Sequence, residues 1–437
     1  MSIFLRNGKI FLNGKLEEKN LFISEGKIKK ITKKFLEADE VIDCSNKIIL
    51  PGAIDSHVHF RYPGATHKED WITGSEAAAA GGVTTVLDMP NNSPPCTSIE
   101  VLKDKIETAS NDSLINFGFF FGAAKNNLEE IKKLNGCIGV KIYAGSSTGN
   151  LLVDSTEKIK EIFSNSNKSM VIHAENEEIL NANLEKAKKL NWNNAIYHNK
   201  IRTNEAEEKA VKDVLAIQKE TGNKVIFTHL STKEAVALIK EAKQKGRKVF
   251  GDTCPQFLFF NEKVFKEKGN YAKCNPSIKS EEDRQALWKG IKDGTLEMIC
   301  SDHAPHTKEE KEQEYFKAPS GIPGVQNMVP LMLNEAGKGN IKLVLLVKLL
   351  CENPAKIYGI KNKGFIKEGF DADLIVVDLN REFEIKNDEQ LSKCGWTIYD
   401  GMKGKGFVEK TFVNGELVFD NNEIIPHSRG KLIEAKK

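Results

Sequence analysis

The sequence lacks the features that mark a membrane, nucleic-acid-binding or disulfide-stabilised protein. No apolar run approaches the roughly 18 residues of a membrane-spanning helix, and the first residues lack the apolar core of a signal peptide. The chain has 64 Lys and Arg residues against 61 Asp and Glu residues. The resulting formal net charge of +3 is too small to attract nucleic acid or an anionic membrane through the overall electrostatic field. The eight cysteines include no CxxC pair, and a chain of 437 residues does not need disulfides. We therefore expect a cytoplasmic protein with reduced, mostly buried thiols, and neither a nucleic-acid nor a membrane partner.

Both ends of the chain have the sequence pattern of short β-strands. Near the N-terminus, apolar or alternating runs at 10–12, 21–23, 28–31 and 41–42 are separated by the hairpin-type turns Asn13-Gly14 and Glu25-Gly26. Similar runs return at 372–377, 408–413 and 417–419, around Asn414-Gly415. This pattern predicts one small β-sandwich domain built from residues 1–51 together with 365–437.

Between these ends, over residues 52–364, short apolar runs alternate with helical stretches such as 205–221 and 232–244. Eight runs have the length and composition of buried strands: 53–58, 83–88, 114–121, 138–143, 170–173, 224–228, 248–251 and 297–301. Strand–helix alternation of this kind is typical of α/β proteins, and eight strands indicate a (β/α)₈ TIM-like barrel.

Histidines and one aspartate fall at the predicted strand ends, where catalytic residues of such barrels lie. The first strand ends in His57-Val58-His59, and residues two apart in a strand point to the same face. The fifth and sixth strands end in His173 and His229, and the eighth is followed by Asp302. Each residue alone is more readily explained by hydrogen bonding in the core, but together they indicate a metal site that suits zinc, with manganese or cobalt as alternatives.

The fourth predicted strand contains a lysine, in Gly139-Val140-Lys141-Ile142-Tyr143. A barrel strand is buried on both faces, so a lysine there is costly without a partner. One interpretation is an ammonium paired with an acid at the mouth of the barrel. The other is that Lys141 has reacted with carbon dioxide to form a carbamate that bridges two metal ions, since burial makes the neutral amine more available.

Several motifs give the chain a family resemblance. The segment from Asp55 to Gly64, with the sequence DSHVHFRYPG, and the following Thr66-His67-Lys68-Glu69-Asp70 resemble the amidohydrolase superfamily. Within it the chain is similar to the dihydroorotases, on the segments AGGVTT from Ala80, MPNN from Met89, GVKIY from Gly139 and SDHAPH from Ser301. The resemblance implies a barrel with two zinc ions. One ion would be held by His57, His59 and Asp302 and the other by His173 and His229, with N6-carboxylated Lys141 bridging both.

The resemblance also implies a reaction, the reversible cyclisation of N-carbamoyl-L-aspartate to L-dihydroorotate in de novo pyrimidine biosynthesis. A hydroxide shared by the two metals would attack the ring amide, and Asp302 would act as the base and then the acid. The expected partner is therefore the small-molecule substrate. Assembly of the protein into a homo-oligomer is compatible with this function.

Arg61 favours this substrate, because it lies two residues beyond His59 and its guanidinium can clamp a carboxylate. A surface ion pair is the alternative role. Asn91 and His306 are expected to contact the same carboxylate, with support of Asp302 as the alternative role of His306. By resemblance Asn275, Ser320 and Gly321 hold the amide edges of the ring, and His59 also contacts the substrate.

Three alternatives remain open from the sequence alone. The chain resembles allantoinases and hydantoinases, which act on rings without that carboxylate. A non-catalytic dihydroorotase-like subunit would be expected to lose metal ligands, and this chain keeps all six. The small, Gly-rich segment 144–150 is equally compatible with a mobile lid and with an ordinary strand–helix loop.

Overall fold

A computed structural model describes residues 1–145, 151–425 and 430–433. The strands in chain order are β1 (Ser2–Arg6), β2 (Lys9–Leu12), β3 (Lys15–Glu18), β4 (Asn20–Ser24), β5 (Lys27–Thr32), β6 (Glu40–Asp43), β7 (Ile48–Pro51), β8 (Ala53–Val58), β9 (Val83–Asp88), β10 (Asn116–Gly122), β11 (Gly139–Tyr143), β12 (Ser169–His173), β13 (Val225–Phe227), β14 (Val249–Thr253), β15 (Met298–Ile299), β16 (Leu374–Glu384), β17 (Lys403–Val413), β18 (Glu416–Asp420) and β19 (Glu423–Ile424).

The helices in chain order are α1 (Trp71–Ala80), α2 (Ile99–Asp112), α3 (Leu128–Lys132), α4 (Thr156–Ser164), α5 (Glu177–Lys189), α6 (His198–Ile201), α7 (Asn204–Thr221), α8 (Lys233–Gln244), α9 (Pro255–Phe259), α10 (Val264–Lys268), α11 (Glu281–Lys292), α12 (Lys308–Lys311), α13 (Met328–Gly337), α14 (Leu343–Val347) and α15 (Asn353–Tyr358). Several begin at a side chain that caps the first turn, as Thr232 does for α8 and Ser280 for α11.

The strands β8 to β15 form one parallel sheet in which each strand pairs with its neighbour in the chain. The sheet closes on itself after β15, where Val58 bridges His303 and the His59 amide donates to the His303 carbonyl at 2.8 Å. All residues of β8 to β11 are buried, as expected for strands covered on both faces. The predicted (β/α)₈ barrel is confirmed.

A second region contains two β-sheets, one with the order β5-β4-β1-β6 and one with the order β19-β18-β17-β16-β7-β2-β3. The larger sheet combines strands from both ends of the chain. The two sheets enclose a common apolar core that includes Ile3, Leu5, Ile49, Leu374 and Phe412. The predicted β-sandwich built from both termini is therefore confirmed, whereas its limits at residues 51/52 and 364/365 stay a prediction.

Parts of the C-terminal region also contact the barrel. Leu432 bridges Phe117 of β10, and the Trp396 indole donates to the His306 carbonyl at 2.7 Å. The segment around Trp396 therefore covers the loop that follows β15, close to the mouth of the barrel.

Two observations concern the oxidation state of the cysteines and the presence of a membrane-spanning helix. All eight cysteines lie within the described residues, where they are buried and form no disulfide. Among the described residues, no helix is long and apolar enough to cross a membrane.

Candidate active site

The predicted ligands meet at the C-terminal mouth of the barrel, because the ends of parallel strands share one rim. The Nε2 atoms of His57 and His59 lie 3.4 and 3.3 Å from Oδ1 of Asp302. Ligand atoms of these three buried residues fall within 4.8 Å of one another, so they could hold one metal ion. His173 Nδ1 lies 3.2 Å from His229 Nε2, and the His229 ring is 5.0 Å from that of His57.

The electrostatics of this cluster favour neutral imidazoles. Burial, reinforced by neighbouring cationic groups, lowers the pKa of His57 and His229 well below the usual value. Burial also lowers the pKa of His59 and His173. A neutral imidazole is the form that binds a metal ion, so the four rings are prepared for that role.

Hydrogen bonds hold two of the rings at the nitrogen that faces away from the cluster. His59 Nδ1 lies 2.6 Å from Oδ1 of Asn91, which can only accept. His173 Nε2 lies 2.8 Å from Oε2 of Glu175, whose carboxylate is also bound by Arg202. These contacts leave His59 Nε2 and His173 Nδ1 without a proton and directed into the cluster. Partners of this kind commonly orient metal-binding histidines.

Lys141 lies beneath the histidines on β11 and is completely buried. Its Nζ has no hydrogen-bond partner among the described residues, and its nearest aromatic contact is the Tyr143 ring, 5.1 Å from Nζ to centroid. Burial lowers the pKa of this amine to about 8. An unpaired ammonium is costly here, so the position favours either the neutral amine or a modified, anionic group.

The backbone is left-handed at three of the predicted site residues. Arg61, His229 and Asp302 have φ values of 62°, 43° and 47°. Few residues other than glycine adopt this conformation, and such strain tends to collect at functional sites. The side chains of all three residues line one cavity.

A cavity of about 110 Å³ opens directly above the cluster. Its walls contain most of the predicted metal-binding and substrate-binding residues together with two residues that were not assigned a role, Tyr143 and Ala304. The full lining is His57, His59, Arg61, Asn91, Tyr143, His173, His229, Asn275, Asp302, Ala304, Ser320 and Gly321. Lys141 and His306 are the two predicted site residues that do not line it.

His306 instead lies behind the Arg61 guanidinium, with 3.2 Å between His306 Nε2 and an Arg61 terminal nitrogen. Lys68 Nζ is 3.1 Å from Nδ1 of His306, and an ammonium can only donate. Nδ1 must therefore accept, so Nε2 carries the proton and donates to the Ser320 carbonyl at 3.1 Å. Burial, with Arg61 and Lys68 nearby, lowers the pKa of His306, in agreement with a neutral ring.

The loop that contains Ser320 and Gly321 is held by a buried lysine. Lys311 Nζ donates to the carbonyls of Lys273, Pro319 and Gly321 at 3.1, 3.0 and 3.0 Å. Gly321 has a φ of +152°, and a Cβ there would lie 2.3 Å from the Ala304 carbonyl oxygen, so only glycine fits. Lys311 thus fixes the segment 319–321 to the segment around Lys273, which precedes the cavity residue Asn275.

Several residues that contact the site were not singled out from the sequence. Tyr143 could have been found, because it lies two residues after Lys141 and so shares its face of β11. Thr228 and Asp252, which contact the predicted ligands, gave no comparable signal. The predicted loop 144–150 falls largely on residues 146–150, which lie outside the described residues.

A buried His and Asp cluster of this composition at the mouth of a parallel barrel is the arrangement of a metal-dependent enzyme. A family model described as "Amidohydrolase family" matches residues 48–418. The chain therefore belongs to the amidohydrolase family, and the resemblance that the motifs predicted is confirmed.

Individual relatives agree with this assignment. A dihydroorotase from Methanosarcina mazei is 37% identical, over 99% of this chain and 98% of the relative. An L-hydantoinase from Paenarthrobacter aurescens is 30% identical, over 97% of this chain and 95% of that protein. Among solved structures, an L-hydantoinase (dihydropyrimidinase) from Arthrobacter aurescens has a TM-score of 0.94 and 28% identity, with 99% of both chains covered.

Proposed function

We propose that this amidohydrolase is a dihydroorotase, which interconverts N-carbamoyl-L-aspartate and L-dihydroorotate in de novo pyrimidine biosynthesis. The observation that carries the proposal is the partly buried guanidinium of Arg61 in the cavity wall. Among the described residues, Arg61 makes no ion pair with a carboxylate. A partly buried cation in a cavity wall is well placed to bind an anion, and the ring carboxylate of dihydroorotate would supply it.

We further propose that the site holds two zinc ions. His57, His59 and Asp302 would bind one ion, His173 and His229 the other, and carboxylated Lys141 both. The fit is supported by the neutral, oriented imidazoles and by the buried Lys141 amine, which lacks a hydrogen-bond partner among the described residues. When bound, divalent ions acidify a water molecule and polarise the substrate carbonyl.

Carboxylation of Lys141 has a simple chemical basis. The lone pair of the neutral amine attacks carbon dioxide, a nitrogen–carbon bond forms, and the nitrogen releases one proton. Because burial lowers the pKa of Lys141 to about 8, far more neutral amine is present near pH 7 than at an exposed lysine. We expect the metal-free protein to take up metal more slowly without bicarbonate than with it, and equal rates would contradict the carbamate.

The remaining residues bind the substrate and move the proton. Arg61 binds the carboxylate, while Asn91 can donate from its amide nitrogen because its oxygen already accepts from His59. In the ring-opening direction a carboxylate oxygen of Asp302 takes a proton from the attacking water. It then delivers that proton to the ring nitrogen as the amide carbon–nitrogen bond breaks. Cyclisation uses the same steps in reverse.

Hydantoin or dihydropyrimidine hydrolysis is the second candidate, because the L-hydantoinase structure from Arthrobacter aurescens has a TM-score of 0.94 to this chain. A substrate panel decides between the two functions. The purified protein is assayed with L-dihydroorotate, N-carbamoyl-L-aspartate, hydantoin, dihydrouracil and allantoin at matched concentrations. We expect the first two to be converted fastest, and faster turnover of any neutral ring would overturn the proposal.

A further inference from the structure

The seventh barrel strand, β14, contributes none of the proposed metal ligands, but its carboxylate contacts His229 directly and reaches His57 through Thr228. Asp252 is completely buried and does not line the cavity. Its Oδ1 accepts from the backbone amide of His229 at 2.6 Å and from the hydroxyl of Thr228 at 3.1 Å. The Cys300 thiol donates to the same oxygen at 3.1 Å.

Thr228 connects this carboxylate to a residue on the other side of the barrel. Its Oγ1 lies 2.6 Å from Nδ1 of His57, on β8. A carboxylate oxygen can only accept, so in the contact with Asp252 Oδ1 the single hydroxyl proton of Thr228 points to Asp252. The Thr228 oxygen must then accept from His57, which places the proton on Nδ1. The lone pair of His57 is left on Nε2, the atom that faces Asp302.

We propose that Asp252, acting partly through Thr228, is the positioning residue that sets the orientation and tautomer of His57 and the backbone position of His229. A single carboxylate thereby links proposed ligands of both metal ions. The inference rests on the two-metal site of the proposed function, but not on the identity of the substrate. Without the hydroxyl, the His57 ring could rotate or carry its proton on Nε2. Either change would remove the His57 nitrogen that is proposed to bind the metal ion.

Partners of metal-binding histidines typically contribute about 10- to 100-fold to metal affinity. Thr228→Val removes the hydroxyl at nearly constant shape and leaves the bond between the His229 amide and Asp252 in place. We therefore expect about 10- to 100-fold weaker binding of one of two zinc ions. Thr228→Ser retains the hydroxyl and should restore the affinity. Binding is measured by competition with a zinc chelator, and bound zinc is counted by elemental analysis, so neither readout depends on activity.

Thr253→Val is the matched control. Thr253 is also buried, and its hydroxyl donates to the Leu230 carbonyl at 2.8 Å without contacting a proposed ligand. This variant should lose comparable stability and keep the wild-type zinc affinity. Wild-type affinity in Thr228→Val would overturn the proposal, as would an equal loss in Thr228→Ser or in Thr253→Val.

Asp252→Asn provides a second route should Thr228→Val fail to fold. Asparagine keeps an accepting oxygen but removes the charge, and charge-assisted hydrogen bonds are about twice as strong as neutral ones. We expect weaker binding of both ions, because His57 and His229 both depend on this group. Unchanged affinity for both ions would refute the role of Asp252. A wild-type protein that binds two zinc ions but does not convert dihydroorotate would refute the proposed function alone.

Discussion

Replacing Arg61 by methionine tests the choice of substrate directly. The Arg61 Nε donates to the Pro305 carbonyl at 3.0 Å, so the fork formed by its two terminal nitrogens is the part that remains for a ligand. A carboxylate bound end-on would receive two charge-assisted hydrogen bonds. Bonds that involve charged groups contribute about 1.5–3 kcal/mol each. Loss of both bonds should raise the barrier for dihydroorotate by about 3–6 kcal/mol, which is about 100- to 10,000-fold in kcat/KM.

The assay compares two substrates in each variant. Dihydrouracil has the same ring without the carboxylate, so any loss of packing or of the Pro305 contact affects both substrates alike. The ratio of their kcat/KM values therefore isolates the carboxylate interaction. Arg61→Lys is the matched control, because it keeps the charge but not the planar fork, and we expect an intermediate ratio. An equal loss on both substrates in Arg61→Met would refute a carboxylate role for Arg61.

Three further predictions concern the metal ligands and a buried lysine. Lys141→Ala should lower bound metal below two ions per chain and abolish most turnover, because both proposed ions share that group; full occupancy by elemental analysis would contradict the carbamate. Asp302→Asn should reduce kcat by about 100- to 10,000-fold while substrate binding changes little, since the loss is in proton transfer; near-normal rates would exclude Asp302 as the proton carrier. Burial lowers the pKa of Lys311 from 10.5 to about 7, so above pH 7 the unfolded chain holds a proton that the native protein lacks. The free energy of unfolding of the wild type, relative to Lys311→Met, should therefore rise by about 2 kcal/mol from pH 7 to 9 in denaturant titrations, and a decrease would contradict the shift.

The arrangement of barrel strands was predictable because it depends on local patterns. The predicted runs 53–58 and 83–88 coincide with β8 and β9, and the other runs overlap their strands to within a few residues. Buried parallel strands need continuous apolar runs bounded by turns. Such a run spans only a few consecutive residues, so it can be recognised in the sequence. The turns Asn13-Gly14 and Asn414-Gly415 also adopt the positive φ values that their sequences predict.

The sequence by itself therefore determined the barrel, the sandwich and the set of side chains at the strand ends, because periodicity and turn chemistry are local and a barrel brings its strand ends to one rim. Only the tertiary structure decided how those side chains are held. The bond between His57 and Thr228 joins residues 171 positions apart, and His306 lies beside the Arg61 guanidinium and bonds to the Ser320 carbonyl instead of lining the cavity. Such contacts depend on the stagger of non-adjacent strands and on loop packing, which leave no periodic signal in the chain.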